Sequence, residues 1–189
     1  MSNRLKLLCD LSKFYDINNI ALTEQITRGS NNGELIRYIH WQTEELQLAA
    51  IECSYTFIKH IKNPTSKAQI AAINIAPIAI KYIKHPTEYA QVKAVSANKK
   101  CIKYIKNPSL AIQLIIANNK PTYIKYIKNP KLEVQLKAID TDINTIMVIR
   151  EPNVDVIEYT INIDRSIIKY ITFDHLTDEE LLQLKLTTM

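Results

Sequence analysis

The chain has 189 residues, 47% of them apolar, with a formal net charge of +5; this is the size and composition of one folded domain and argues against wholesale disorder. Its two glycines, Gly29 and Gly33, nearly exclude Gly-rich phosphate loops, dinucleotide fingerprints and glycine-turned barrels. Cys9, Cys53 and Cys101 form no C-x-x-C pair, which speaks against a disulfide framework or a zinc ribbon and for a reducing compartment. No apolar run reaches the length of a bilayer span, and the N-terminus lacks a secretory layout. The expectation is a cytoplasmic protein with no membrane partner.

In chain order, residues 4–11 offer Leu5, Leu7, Leu8 and Leu11 as an N-terminal capping helix. Residues 1–57 hold this cap and degenerate repeats, residues 58–152 hold regular repeats, and residues 153–189 hold a last repeat and a C-terminal cap, all within one domain. The repeat is marked by Pro64, Pro86, Pro108, Pro130 and Pro152, each 22 residues after the last. One column in that register reads Phe14, Ile36, Ile58, Ile80, Ile102, Ile124, Ile146, Ile168. A second, three residues on, reads Ile17, Ile39, Ile61, Ile83, Ile105, Ile127, Ile149, Ile171. Self-similarity of this kind signals a repeat architecture whose terminal copies are atypical.

Each repeat divides in two. The segment after the proline, such as Pro130 to Ile139, has apolar residues at 132, 134, 136, 138 and 139 that alone could pass for a strand. Ala68, Ile70, Ala71, Ala72 and Ile73 in another copy have the broad apolar face of a helix. Asn63, Asn107 or Asn129 as N-cap, with proline at the first helical position, gives a start signal. The second segment, such as Tyr123 to Lys128, repeats with period three, which fits a short α or 3₁₀ helix and not a strand. Residues 177–186 open with a capping box, Thr177 with Glu180, and carry Leu181, Leu182, Leu184 and Leu186. The predicted fold is all-α: an elongated or curved α-solenoid of about seven 22-residue two-helix repeats, capped at both ends. A β-containing solenoid of leucine-rich-repeat type is the alternative; glycine poverty, regular prolines and the period of three count against it.

Glu133-Val-Gln-Leu-Lys-Ala-Ile139, followed by Ile146 to Ile149 and a proline, resembles the short tandem repeats found in proteins of tailed phages and large DNA viruses. The layout is also similar to HEAT-like and leucine-rich-repeat-variant solenoids. The resemblance implies an α-solenoid interaction module of viral origin, acting in the host cytoplasm on a host defence or regulatory protein.

Chemistry is read from the remaining columns. Lysines flank the isoleucines in pairs: Lys59 with Lys62, Lys81 with Lys84, Lys103 with Lys106, Lys125 with Lys128. Residues three apart share a helix face, so the pairs form a stripe. Residues 59–137 hold 15 lysines against Glu88 and Glu133, a net +13; residues 1–58 carry −2 and residues 138–189 carry −6. A merely solvated face intersperses both signs, so the basic middle points to an acidic partner. Repeat duplication of a soluble residue is the bland account of the same stripe.

Tyr82, Tyr104 and Tyr126 belong to an aromatic column with Tyr38, His60 and Tyr170. Beside lysines they suggest stacking platforms for bases. An α-helical wheel weakens that idea: with the first isoleucine as origin, the lysines fall near roughly 40° and 100° and the tyrosine near 200°. Tyrosines packing between repeats is the simpler expectation. Gln25, Gln47, Gln69, Gln91, Gln113 and Gln135 form a ladder that reads as buried amides satisfying backbone groups of a neighbour. Cys101 shares a column with Phe57, Ala79 and Tyr123 and reads as core. His40, His60 and His85 fall into the columns, and His175 stands outside them beside Asp174. Asp140, Asp142, Glu151, Asp155, Glu158 and Asp164 read as a solvated surface. No H-E-x-x-H motif, metal spacing or Ser-His-Asp arrangement stands out.

The expected function is non-enzymatic, with no cofactor, metal or catalytic residue: a binding scaffold presenting a basic face to an acidic protein surface. The partner-binding candidates are the eight paired lysines with Tyr82, Tyr104 and Tyr126. Nucleic acid or a phosphate or nucleotide ligand on the same stripe is the alternative. Self-association, the acidic C-terminal third of one copy against the basic middle of another, is a variant of the first. An enzyme of HEAT-like DNA-repair type ranks last. Lysines lining a groove would favour a ligand, and a flat convex row would favour mere solubility.

Overall fold

Prolines and short polar side chains set most helix starts in the computed structural model, which describes residues 25–26 and 32–188. The expected N-terminal cap and the repeat around Phe14 lie outside the described residues. The α-helices are α1 (Glu44–Cys53), α2 (Ser66–Ile75), α3 (Glu88–Ala97), α4 (Leu110–Asn119), α5 (Leu132–Thr141), α6 (Val154–Ile163) and α7 (Asp178–Thr188). Between them run 3₁₀ helices: η1 (Asn32–Tyr38), η2 (Tyr55–His60), η3 (Pro77–Tyr82), η4 (Lys99–Tyr104), η5 (Pro121–Tyr126), η6 (Ile143–Val148) and η7 (Arg165–Tyr170). The described residues thus contain six α–3₁₀ pairs, preceded by η1 and followed by α7, and no strand. The fold is an all-α, solenoid-like repeat.

The start signals differ from the expected ones by two residues. The N-caps are not Asn63, Asn107 and Asn129 but the residues just after the prolines: Thr65, Thr87, Ser109, Lys131 and Asn153. Thr65 Oγ1 accepts from the Ala68 N–H and Thr87 Oγ1 from the Ala90 N–H, both at 3.2 Å. The physical reason lies in the proline itself: it drives the residue before it out of helical geometry, and its carbonyl is committed elsewhere, as described below. The 3₁₀ helices have their own starts. Pro77 and Pro121 open η3 and η5, while Ser54, Asn98, Asp142 and Asp164 cap others through side-chain oxygens.

The chain divides into two compact units, Met1–Cys101 and Ile102–Met189. In the first, α1, α2 and α3 pack in succession, and η1, η2 and η3 pack beside them in a second layer. In the second, α4, α5, α6 and α7 follow one another, with η5 packed on η6. The α-helices meet through three columns. Leu46, Ala68, Ala90, Ile112, Val134 and Val156 are fully buried, as are Ala50, Ala72, Ala94, Ile116, Ala138 and Thr160. Ile51, Ile73, Val95, Ala117, Ile139 and Ile161 complete the core side. The spacing of these columns, four residues and then one, is helical; the alternation over 132–138 is incidental, since Leu132 is exposed.

The isoleucine columns build the other half of the core. Ile36, Ile58, Ile80, Ile102 and Ile124 are at most 1% exposed, and Ile39 to Ile149 in the second column at most 6%. Burial of each side chain contributes about 1.5–3 kcal/mol. Ile168 departs from the pattern at 42% exposure, and Ile167 is buried in its place. Among the described residues, η7 is the last 3₁₀ helix. Cys101 is core as expected, and Thr145 in the same column is fully buried with its hydroxyl unpartnered. Thr145→Val, which keeps the shape and removes the orphaned hydroxyl, is expected to raise stability by about 1 kcal/mol, read as a higher urea midpoint.

The glutamine ladder ties successive repeats together. Gln69 Nε2 donates to the Pro64 carbonyl at 3.1 Å, and its Oε1 accepts from the Thr87 N–H at 2.9 Å. Gln113 bridges the Pro108 carbonyl and the Lys131 N–H, and Gln135 bridges the Pro130 carbonyl and the Asn153 N–H. Each amide therefore reads the proline of its own repeat and the cap of the next. The ladder ends before Ile157, and His175 Nε2 takes up the Pro152 carbonyl instead, at 2.8 Å. The terminal helix α7 starts with the expected capping box. Glu180 Oε2 accepts from the Thr177 N–H and hydroxyl, and these bonds hold the Glu180 carboxyl below its ordinary range. Leu184 of α7 is buried, while Leu182 and Leu186 are exposed. No helix among the described residues is long and apolar enough to cross a membrane.

Candidate functional site

The 3₁₀ helices η2, η3 and η5 each end on their second-column isoleucine in extended backbone, and the loop to the following proline carries the second lysine. Lys59, Lys81, Lys103 and Lys125 occupy last turns, where a cation also offsets the partial negative charge of the free carbonyls by a few tenths of a kcal/mol. Lys62, Lys84, Lys106 and Lys128 stand in the loops beyond. All eight are exposed. Ion pairs among the described residues join Arg37 to Glu34 at 2.8 Å and Lys67 to Glu44 at 2.7 Å. None reaches Lys59, Lys62, Lys84, Lys106 or Lys128.

The tyrosines lie beside the lysines, contrary to the separation expected from the α-helical wheel. Lys81 Nζ sits 4.6 Å from the centre of the Tyr82 ring, Lys103 Nζ 4.9 Å from that of Tyr104, and Lys125 Nζ 5.4 Å from that of Tyr126. Lys169 over Tyr170 and Arg37 over Tyr38 repeat the arrangement. A 3₁₀ helix sets adjacent residues no closer in angle than an α-helix does, so the proximity comes from the side chains: neighbours along the chain are close whatever their angle, and a four-carbon stem lets the ammonium reach over the next residue's ring. Tyr82 and Tyr104 are half-buried and Tyr126 is exposed. One face of each ring is thereby occupied by the chain's own cation.

Two grooves gather these side chains, one in each unit. The first, about 270 Å³, is bordered by Lys59, Lys62, Lys84, His60, His85 and Tyr82, above Ile61, Pro64 and the Gln69 amide. No carboxylate among the described residues lines it. Glu34 stands 4.0 Å from His60 Nε2 and is engaged by Arg37. Burial, with the nearby charges of Lys59 and Arg37, pushes the His60 imidazole below its ordinary range. The shift favours the neutral imidazole, and Lys59, Lys62 and Lys84 bring fixed positive charge to the groove.

The second groove, about 420 Å³, is the same feature in register: Lys125, Tyr126, Lys128 and Arg150 border it where Lys59, His60, Lys62 and Lys84 border the first. It differs in carrying acids. Glu151 replaces His85, and Glu180 of the C-terminal capping box closes one side with His175 and Leu176. Lys81, Lys103, Lys106 and Tyr104 line neither groove.

His60, His85 and Arg150 are groove residues that the column reading absorbed as mere replacements of tyrosine, asparagine and lysine. The signal for His175 is the gap in the glutamine ladder, which leaves the Pro152 carbonyl in need of another donor. The C-terminal acids divide by role: Asp142 and Asp164 cap η6 and η7, Asp140 accepts from the Tyr159 hydroxyl at 2.6 Å, and Asp155 is exposed. Among the described residues, no group of three His, Cys, Asp or Glu side chains is placed to hold a metal ion. No known family model, curated protein or solved structure matches this sequence.

Proposed function

We propose that the chain is a non-enzymatic binding scaffold whose basic face engages an acidic macromolecular partner, an acidic protein surface above all. The observation that carries the reading is the convergence, on grooves within each unit, of lysines without ion-pair partners among the described residues. Solvation alone would be served by a dispersed or charge-mixed face. Duplication of a convenient residue accounts for the count of lysines but not for their gathering around a concavity. Nucleic acid is the second reading, since the same charges would neutralise phosphates. The tyrosine geometry argues against it: a ring face covered by an ammonium group is a poor platform for a stacked base.

Binding of a labelled oligoglutamate and of single-stranded DNA is followed by fluorescence anisotropy as salt rises from 50 mM to 500 mM. Oligoglutamate is expected to bind at low salt and to weaken by tenfold or more on screening. Changing Lys62, Lys84, Lys106 and Lys128 together to glutamine is expected to remove most of that affinity. Absence of any polyanion binding at low salt defeats the proposal. Tighter binding of DNA, with a steep log–log salt slope, transfers the face to nucleic acid.

A further inference from the structure

The two grooves occupy equivalent positions in the repeat but differ in what borders them. In the second unit, Lys125, Lys128 and Arg150 share their concavity with Glu180, a carboxylate at the start of the chain's own C-terminal helix. That carboxylate is bonded to Thr177 and held ionised. The first turn of α7 is acidic throughout, with Asp178, Glu179 and Glu180. Of this acidic turn, Glu180 stands on the border of the groove. In the first unit, the matching groove has Lys59, Lys62 and Lys84 and, among the described residues, no carboxylate on its border. None of the three lysines has an ion-pair partner among the described residues.

We infer that the groove bordered by Lys59, Lys62 and Lys84 is the primary docking site, and that its occupant is an acidic segment of a partner protein. The inference rests on the proposed binding function and narrows it to one place and one chemistry. Charge complementarity selects the occupant: three unpaired cations surround a cavity with room for a few side-chain carboxylates. An acidic peptide is favoured over a nucleotide because Lys81 already covers one face of the Tyr82 ring, the platform on which a base would stack. His60 and the Tyr82 ring provide an uncharged wall, so the methylene stems of glutamates can pack while their carboxylates meet the lysines. The second groove, already carrying Glu151 and Glu180, has less net charge to offer.

The test uses the full chain, a labelled ten-residue oligoglutamate, and two charge-matched variants. One replaces Lys59, Lys62 and Lys84 with glutamine. The other replaces Lys93, Lys99 and Lys100, which lie in the same unit and line neither groove. The groove variant is expected to lose about tenfold or more in affinity and the control no more than about threefold, as separates fixed charge contacts from general attraction. Circular dichroism and the thermal midpoint show that each variant is folded. Equal losses from the two triple changes overturn the groove assignment while leaving the basic-face reading in place. Failure of the unaltered chain to bind any polyanion defeats that reading itself. A groove-dependent preference for a phosphopeptide or an oligonucleotide over oligoglutamate overturns the acidic-peptide assignment.

Discussion

Gln69→Leu is expected to destabilise the first unit by about 2–4 kcal/mol, since it strands two backbone groups and restores nothing polar. The amide is only 4% exposed. It donates to the Pro64 carbonyl and accepts from the Thr87 N–H. Leucine fills much of the same volume, so the loss reports hydrogen bonding more than packing. Gln135→Leu applies the same test to the second unit, where the Pro130 carbonyl and the Asn153 N–H lose their partner. Repeat arrays can unfold in parts, so amide exchange is the sharper measurement. The Thr87 and Asn153 N–H groups are expected to lose protection in their respective variants. A shift in urea midpoint below about 1 kcal/mol, with protection retained, would show that water substitutes for the ladder.

The sequence makes the α-solenoid legible because a periodicity of 22 residues converts a linear text into rows. From Ile36 to Ile149 the isoleucine rows are buried, the glutamine row satisfies backbone groups, and the Thr177–Glu180 box starts the last helix. Its errors come from geometry that residue types do not encode. Asn63, Asn107 and Asn129 are favoured N-cap residues, but the following proline needs a further residue before the helix can begin, and Thr65 and Thr87 serve instead. The placement of Tyr82 away from Lys81 followed from comparing Cα directions alone, which ignores how far a lysine stem can fold over the ring of the next residue. The grooves were not legible in position at all. Lys59 and Lys84 are 25 residues apart, and only packing of η2 against η3 brings their loops together. A charge count gave the sign of the surface, whereas its concavity depends on how far each proline loop stands from the next.

Ile80→Ala is expected to cost about 2–5 kcal/mol, the range for removing a large aliphatic side chain from a rigid core. Ile80 is 1% exposed, in the layer where η3 packs on η2 and against α2 and α3. Ile124, also 1% exposed, holds the equivalent place in the second unit, where η5 packs on η6; Ile124→Ala should cost a similar amount. Ile168 is the internal control. It belongs to the same column and has the same chemistry, but at 42% exposure it has already failed to leave water. Ile168→Ala should therefore cost less than about 1 kcal/mol, the level of a surface substitution. Denaturant midpoints for the three variants separate two causes of the pattern. If the isoleucines are retained for packing, the cost follows burial and Ile168 stands apart. If they merely record gene duplication, Ile80 and Ile168 would be equally tolerant, and the stacked core inferred from their rows would lose its energetic basis.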